Sequence, residues 1–179
     1  PQSSGIGGGA FMLHFDAATR DTVAYDGRET APSLATADLF LTEAGAPMRF
    51  GDAAVGGRAV GTPGTVALLA TAHANHGKLP WPDLFAPAIR LAEEGFTVGP
   101  RLAAMLAGPR AARLKTFAAT RAYFFPGGTP LEAGVRKTNP EFARTLHAIA
   151  EHGPDAFYTG DIASDIVNAV RSAPGNPGL

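Results

Sequence analysis

The 179-residue chain has no cysteine. That excludes disulfides, thiolate metal ligands and a cysteine nucleophile within it, and leaves its compartment open. It also has no stretch near the roughly 18 consecutive apolar residues that a transmembrane helix requires. Charge of either sign is not in excess: 15 Lys+Arg stand against 16 Asp+Glu, a formal net charge of −1. A near-neutral total supplies no global electrostatic attraction for nucleic acid or an anionic membrane, so no nucleic-acid partner is expected. The first residues, PQSSGIGGG, have neither a basic nor an apolar leader segment and do not read as a signal peptide. With no initiating methionine and a loop-like end, Ser172 to Leu179, the chain is expected to be a processed or truncated polypeptide.

Apolar residues make up 45% of the chain, a globular composition with enough apolar surface for a core. Its 22 glycines and 15 prolines are about a fifth of the residues, against a background of about 12%. They follow no period and fall between apolar segments, as turn and cap residues do.

The two-residue period comes first. Phe11, Leu13 and Phe15 share one face of a strand over Phe11–Asp16, and Thr22–Asp26 can return antiparallel across a polar turn ending in Arg20-Asp21. Such a hairpin alone is marginal in water, so it needs further strands or a covering helix. A short helix is expected over Ala35–Leu41 and a long loop over Gly45–Gly61. The period then changes to 3.6. Thr65–His76 reads as a helix with Val66, Leu69, Ala70 and His73 on one stripe and Gly77 as its stop. Phe85, Ala88, Ile89 and Ala92 define the next helix, which Pro87 should bend near its start or restrict to Pro87–Glu94, before Gly95 closes it.

Arg101–Leu106 and Ala111–Ala119 are further helix candidates, followed by the aromatic patch Tyr123-Phe124-Phe125 and a Pro-Gly-Gly turn. Pro140–His152 places Phe142, Leu146, Ile149 and Ala150 together, with Asn139 as N-cap and Gly153 as stop. Ile162–Arg171 is the last helix, with Asp161 placed to cap or favour its positive end. The sum is α+β: a strand-forming part over 1–32 and a mainly helical part over 33–179, a fragment of a layered fold whose sheet is completed by other sequence.

Chemistry is harder to place. Gly5-Ile6-Gly7-Gly8-Gly9-Ala10 formally satisfies the dinucleotide pattern G-x-G-x-x-A. That pattern works only between a strand and a helix N-terminus, and period-2 sequence follows here, so no dinucleotide cofactor is expected. Two readings stay open: a tight turn needing positive φ, or backbone lying close to a ligand or another segment. His73 and His76 lack the glutamate of an HExxH motif and read as ordinary helical histidines; no acidic cluster has metal-ligand spacing. No G-x-S-x-G elbow is present. Arg28 sits in a connector at a strand end, where it can grip a carboxylate through paired charge-assisted hydrogen bonds, or simply pair with Glu29 or Asp26.

The segments Ser4–Leu13 (SGIGGGAFML) and Asp26–Pro32 (DGRETAP) resemble the SGIGGGxF and RExAP motifs of the gamma-glutamyltranspeptidases. The resemblance continues, in order, through Val60–Thr65, Gly77–Trp81, Pro87–Ala92, Gly95–Val98 and Ala156–Gly160. It implies part of the αββα sandwich of the N-terminal-nucleophile hydrolases. Specifically, it implies the N-terminal half or so of a large subunit, made as one precursor that cuts itself. It further implies that the nucleophilic threonine lies in a separate small subunit, so no residue of this chain is catalytic and none binds metal or cofactor. The small subunit of the same precursor would be its partner. Arg28 is then the residue that binds the α-carboxylate of a γ-glutamyl substrate, whose acyl group passes to water or an amino acid. A periplasmic or extracellular location is implied by the resemblance alone. A glutaryl cephalosporin acylase-type enzyme shares most of these motifs, and a non-catalytic homologue would retain them too.

Overall fold

The structure, a computed structural model, describes residues 5–179, and of Arg110 the backbone alone; Ser4, which opens the first motif, lies outside them. Alternating sequence forms β1 (Ala10–Phe15), which pairs antiparallel with β2 (Thr22–Gly27) in a register that sets Met12 opposite Tyr25 and Phe11 opposite Asp26. The connecting turn is held by the Asp16 carboxylate, which accepts from the Ala18 amide at 2.8 Å. Those backbone donors hold the Asp16 carboxyl below its ordinary pKa. Arg20 takes a left-handed conformation there, with φ 64°.

The stretch expected to be a helix over 35–41 is instead a series of isolated turns, such as Leu39 N–H to Thr36 C=O. The expected loop over 45–61 contains α1 (Phe50–Ala54) and a 3₁₀ turn at Gly57–Ala59. Its small residues let the returning C-terminal segment close over it: the buried Asn176 donates from Nδ2 to the carbonyls of Asp52 and Val55.

Helix α2 (Thr65–His76) has the expected bounds, but its buried face is Thr65, Val66, Leu68 and Ala72, and Leu69 is exposed. The alanines on both flanks leave the stripe ambiguous; Val66 is buried as expected, and packing against the hairpin buries Leu68 in place of Leu69. A 3₁₀ turn over Trp81–Leu84 precedes α3 (Ala86–Glu93), so Pro87 sits in the first turn, where its missing N–H is harmless. Of the two outcomes expected of Pro87, the structure shows the restricted helix, within one residue of 87–94 at either end. The two-residue strand β3 (Phe96–Thr97) pairs with β4 (Arg136–Lys137), a pair too short to show a period.

Between them lie α4 (Pro100–Ala107), a 3₁₀ segment over Pro109–Thr116 and α5 (Ala118–Phe124). The last two replace the single helix expected over 111–119. Asn139 caps α6 (Pro140–His152) as expected, its Oδ1 accepting from the Phe142 amide at 3.1 Å, and Gly153 ends the helix with φ 78°. Phe142 lies off the buried stripe, which Ala143 joins instead. A short α7 (Asp155–Tyr158) leads to α8 (Gly160–Arg171), where Asp161 stands in the first turn and makes no side-chain cap.

The helices bury two apolar clusters. One gathers Val66, Ile149 and Phe157, with Trp81, Ile162 and Ile166 packed on it. The other gathers Val98, Leu106, Ala111, Phe125 and Leu131.

Candidate functional site

The hairpin meets α2 through its mixed face. The His14 ring stacks on His76 with centroids 3.6 Å apart, and Tyr25 Oη lies 2.7 Å from His76 Nε2. Asn75 donates to the same Tyr25 oxygen. These histidines are therefore packing elements between hairpin and helix, and His73 is engaged with the Leu79 carbonyl. Among the described residues no group of three or more His, Asp or Glu side chains is placed to hold a metal ion.

The opposite face of the hairpin carries Phe11, Leu13 and Phe15, all exposed. Arg28 follows β2 on this same side, since two-residue steps from Ala24 through Asp26 return to it. Its guanidinium carbon lies 5.9 Å from the centroid of the Phe11 ring. The Asp26 carboxylate accepts from the Arg28 amide at 2.9 Å and fixes the chain as it leaves the strand. Arg28 Nη2 stands 3.3 Å from Glu29 Oε2, with the two side chains 59% and 30% exposed. One side of the arginine is thus anchored by its neighbour, and the rest of its donor fork faces outward.

Of the two readings of Arg28, the pairing with Glu29 is present, and that pair leaves the arginine exposed. Five N–H donors exceed what one carboxylate oxygen can occupy, so the free part of the fork can take a ligand carboxylate.

Beneath this pair lies the glycine run. None of Gly7, Gly8 and Gly9 has a positive φ, so at these three the reading of a tight left-handed turn is corrected. Close approach is what the glycines permit. A Cβ on Gly9 would lie 2.6 Å from Glu29 Oε2 and 2.8 Å from Arg28 Cα; one on Gly8 would lie 3.1 Å from Glu29 Oε1. Gly61 and Gly64 close the other sides, with positions for Cβ 2.9 Å from Glu29 Cβ and 2.9 Å from the Arg28 carbonyl oxygen. Sequence reasoning missed this seat because its four glycines belong to two distant segments. The apolar cavity between the Val60–Pro63 segment and α8, about 230 Å³, adjoins this seat at Gly61 and has no charged side chain in its lining.

The gamma-glutamyltranspeptidase family model matches residues 1–177, and the chain belongs to that family. It is 40% identical over 179 residues to Scoloptoxin SSD14 of Scolopendra dehaani, covering 98% of this chain and 30% of that protein. With the glutathione hydrolase proenzyme of Bacillus subtilis strain 168 it shares 38% identity over 176 residues, again 98% of this chain and 30% of the relative. The crystal structure of Helicobacter pylori gamma-glutamyltranspeptidase superposes with a TM-score of 0.91 at 32% identity, over 99% of this chain and 50% of that one. The chain therefore spans about 30% of these curated relatives and half of the solved chain. Among the described residues no helix is long and apolar enough to cross a membrane.

Proposed function

We propose that the complete protein hydrolyses and transfers the γ-glutamyl group of glutathione and related amides, with Arg28 gripping the substrate α-carboxylate. The observation that carries this reading is the placement of Arg28, anchored on one side by Glu29 and open on the other, on the same face as the uncovered Phe11, Leu13 and Phe15.

Further sequence of the same precursor, its small subunit, covers that face and supplies the attacking threonine hydroxyl. At a new N-terminus the threonine's own amine serves as general base, directly or through water. The hydroxyl oxygen bonds to the γ-carbonyl carbon, the amide C–N bond breaks, and the leaving amine takes a proton. Water or an amino-acid amine then attacks the acyl-enzyme, giving hydrolysis or transfer and restoring the hydroxyl. Arg28 does no bond chemistry in this scheme; it fixes the γ-carbonyl at a set distance from the carboxylate it holds. The protein in this reading acts outside the cytoplasm, which fractionation of the producing cells tests.

In the complete processed protein, Arg28→Ala lowers kcat/KM for a γ-glutamyl anilide by roughly two orders of magnitude, about 3 kcal/mol, because a carboxylate loses its charged partner. An unchanged kcat/KM refutes the role. Preferred turnover of the glutaryl anilide, which lacks the α-amino group, would replace the γ-glutamyl reading with the acylase one. This chain on its own turns over neither compound, since the nucleophile lies elsewhere.

A further inference from the structure

The glycine run is tied down at one atom. The Gly8 carbonyl oxygen accepts from the Gly64 amide at 3.0 Å, the Thr65 amide at 3.1 Å and Thr65 Oγ1 at 2.8 Å. Thr65 is buried although polar, and it opens α2. The hydroxyl therefore has no water to fall back on, and its bond to Gly8 is the reason a polar side chain is kept there. From Gly8 the contact passes directly to the Glu29 carboxylate, whose Oε2 is buried and makes no hydrogen bond of its own. The side chain is held by shape: Gly9 faces Oε2, Gly8 faces Oε1, Gly61 stands against Cβ, and the Arg28 guanidinium lies 3.3 Å from Oε2.

We propose that Thr65 is a positioning residue for substrate binding, acting through the Gly8 carbonyl and the Gly8-Gly9 seat to set the Glu29–Arg28 pair. This rests on the reading of Arg28 as the carboxylate-binding residue. The chain of contacts runs from a helix terminus to a glycine backbone, to an acidic side chain, to the arginine. Loss of the hydroxyl removes the shortest of the three bonds that hold the Gly8 carbonyl and leaves the two amide donors, so the seat under Glu29 loosens, and Glu29 Oε2, which has no hydrogen bond, keeps only its pairing with Arg28. The arginine fork then samples orientations that meet the ligand carboxylate poorly, which weakens donor binding more than it slows the chemical step. Thr65 touches neither substrate nor nucleophile, so the signature is confined to KM.

The test is steady-state kinetics of the complete processed protein with a γ-glutamyl anilide. Thr65→Val, equal in shape but without the hydroxyl, raises KM about tenfold with kcat within about twofold, on the scale of one lost buried hydrogen bond. Thr65→Ser returns KM to the parental value. In the Arg28→Ala background Thr65→Val adds nothing, because the residue it acts through is gone. Gly8→Ala presses only on Glu29 Oε1 and gives the same rise in KM with α2 intact; it carries the test if Thr65→Val does not fold. A parental KM in Thr65→Val, or an equal further loss in the Arg28→Ala background, overturns the proposal while leaving the role of Arg28 standing. No effect of Arg28→Ala itself overturns the reading beneath it.

Discussion

Along β1, Phe11, Leu13 and Phe15 share a face and are 69%, 74% and 61% exposed; along α6, Leu146, Ile149 and Ala150 share a face and are 4%, 0% and 6% exposed. Both stripes are regular, and both have the composition of a core. What separates them is the location of the partner surface. Helix α6 finds its cover within the chain, from α3 and from residues around Trp81, whose indole N–H donates to the Ile149 carbonyl at 3.0 Å. The hairpin finds cover for one face only, on α2. An exposed apolar patch of this kind, with Arg28 beside it, is the face that the proposed assembly covers. Periodicity reports that a face wants burial; it does not report which segment supplies it.

Unfolding measurements on the complete protein set the two stripes against each other. Ile149→Ala should have the largest effect, about 3–4 kcal/mol, since a fully buried side chain leaves a cavity between packed helices. Leu13→Ala should cost about 2 kcal/mol in the same protein if the hairpin face is covered there. A cost below about 0.5 kcal/mol, the scale of an exposed site, would mean that the face stays in water and that the proposed assembly is wrong. Asn139→Ala removes the α6 cap and should cost about 1 kcal/mol, with Asn139→Asp close to neutral. The smallest effect concerns the hairpin turn. The Asp16 carboxyl is depressed in the folded state, so its stabilisation is present above its unfolded pKa of about 3.9 and is lost as pH falls through the lower folded value. Asp16→Asn keeps an acceptor for Ala18 and should remove that part of the acid sensitivity, read from denaturation midpoints at pH 5 and pH 3. An identical pH slope in the variant would assign the acid loss to other groups.

The elements that sequence made legible are those decided by nearest neighbours. The β1–β2 pairing followed from alternation and a polar turn, and both ends of α6 from Asn139 and Gly153, which act within a turn of themselves. The boundaries of α2 followed equally, but its buried side followed only at Val66, because alanine fits either side and only tertiary contact selects Leu68 over Leu69. The expectations over 35–41 and 111–119 fail for a related reason: short runs of alanine and leucine satisfy a helical stripe for one turn, and proline or glycine nearby decides whether a second turn forms. Arg28 could be singled out by its place at a strand end. Its seat could not, since Gly8, Gly9, Gly61 and Gly64 meet only after folding.

Helix α2 begins without a side-chain cap of its own. The missing acceptor comes from Tyr158, whose hydroxyl accepts the Ala67 amide at 3.0 Å and donates to the Pro63 carbonyl at 2.9 Å, across 91 and 95 positions of sequence. At the pace of a ribosome, about 5–20 residues per second, Tyr158 arrives roughly 5–18 s after Ala67 has been made. During that interval the Ala67 amide and the Pro63 carbonyl, on either side of the start of α2, stand without this partner. Nascent chains arrested before residue 158 should leave the Ala67 amide open to deuterium, and chains released beyond it should protect that proton. Protection in the shorter chains would show that the turn locks without its distant tyrosine.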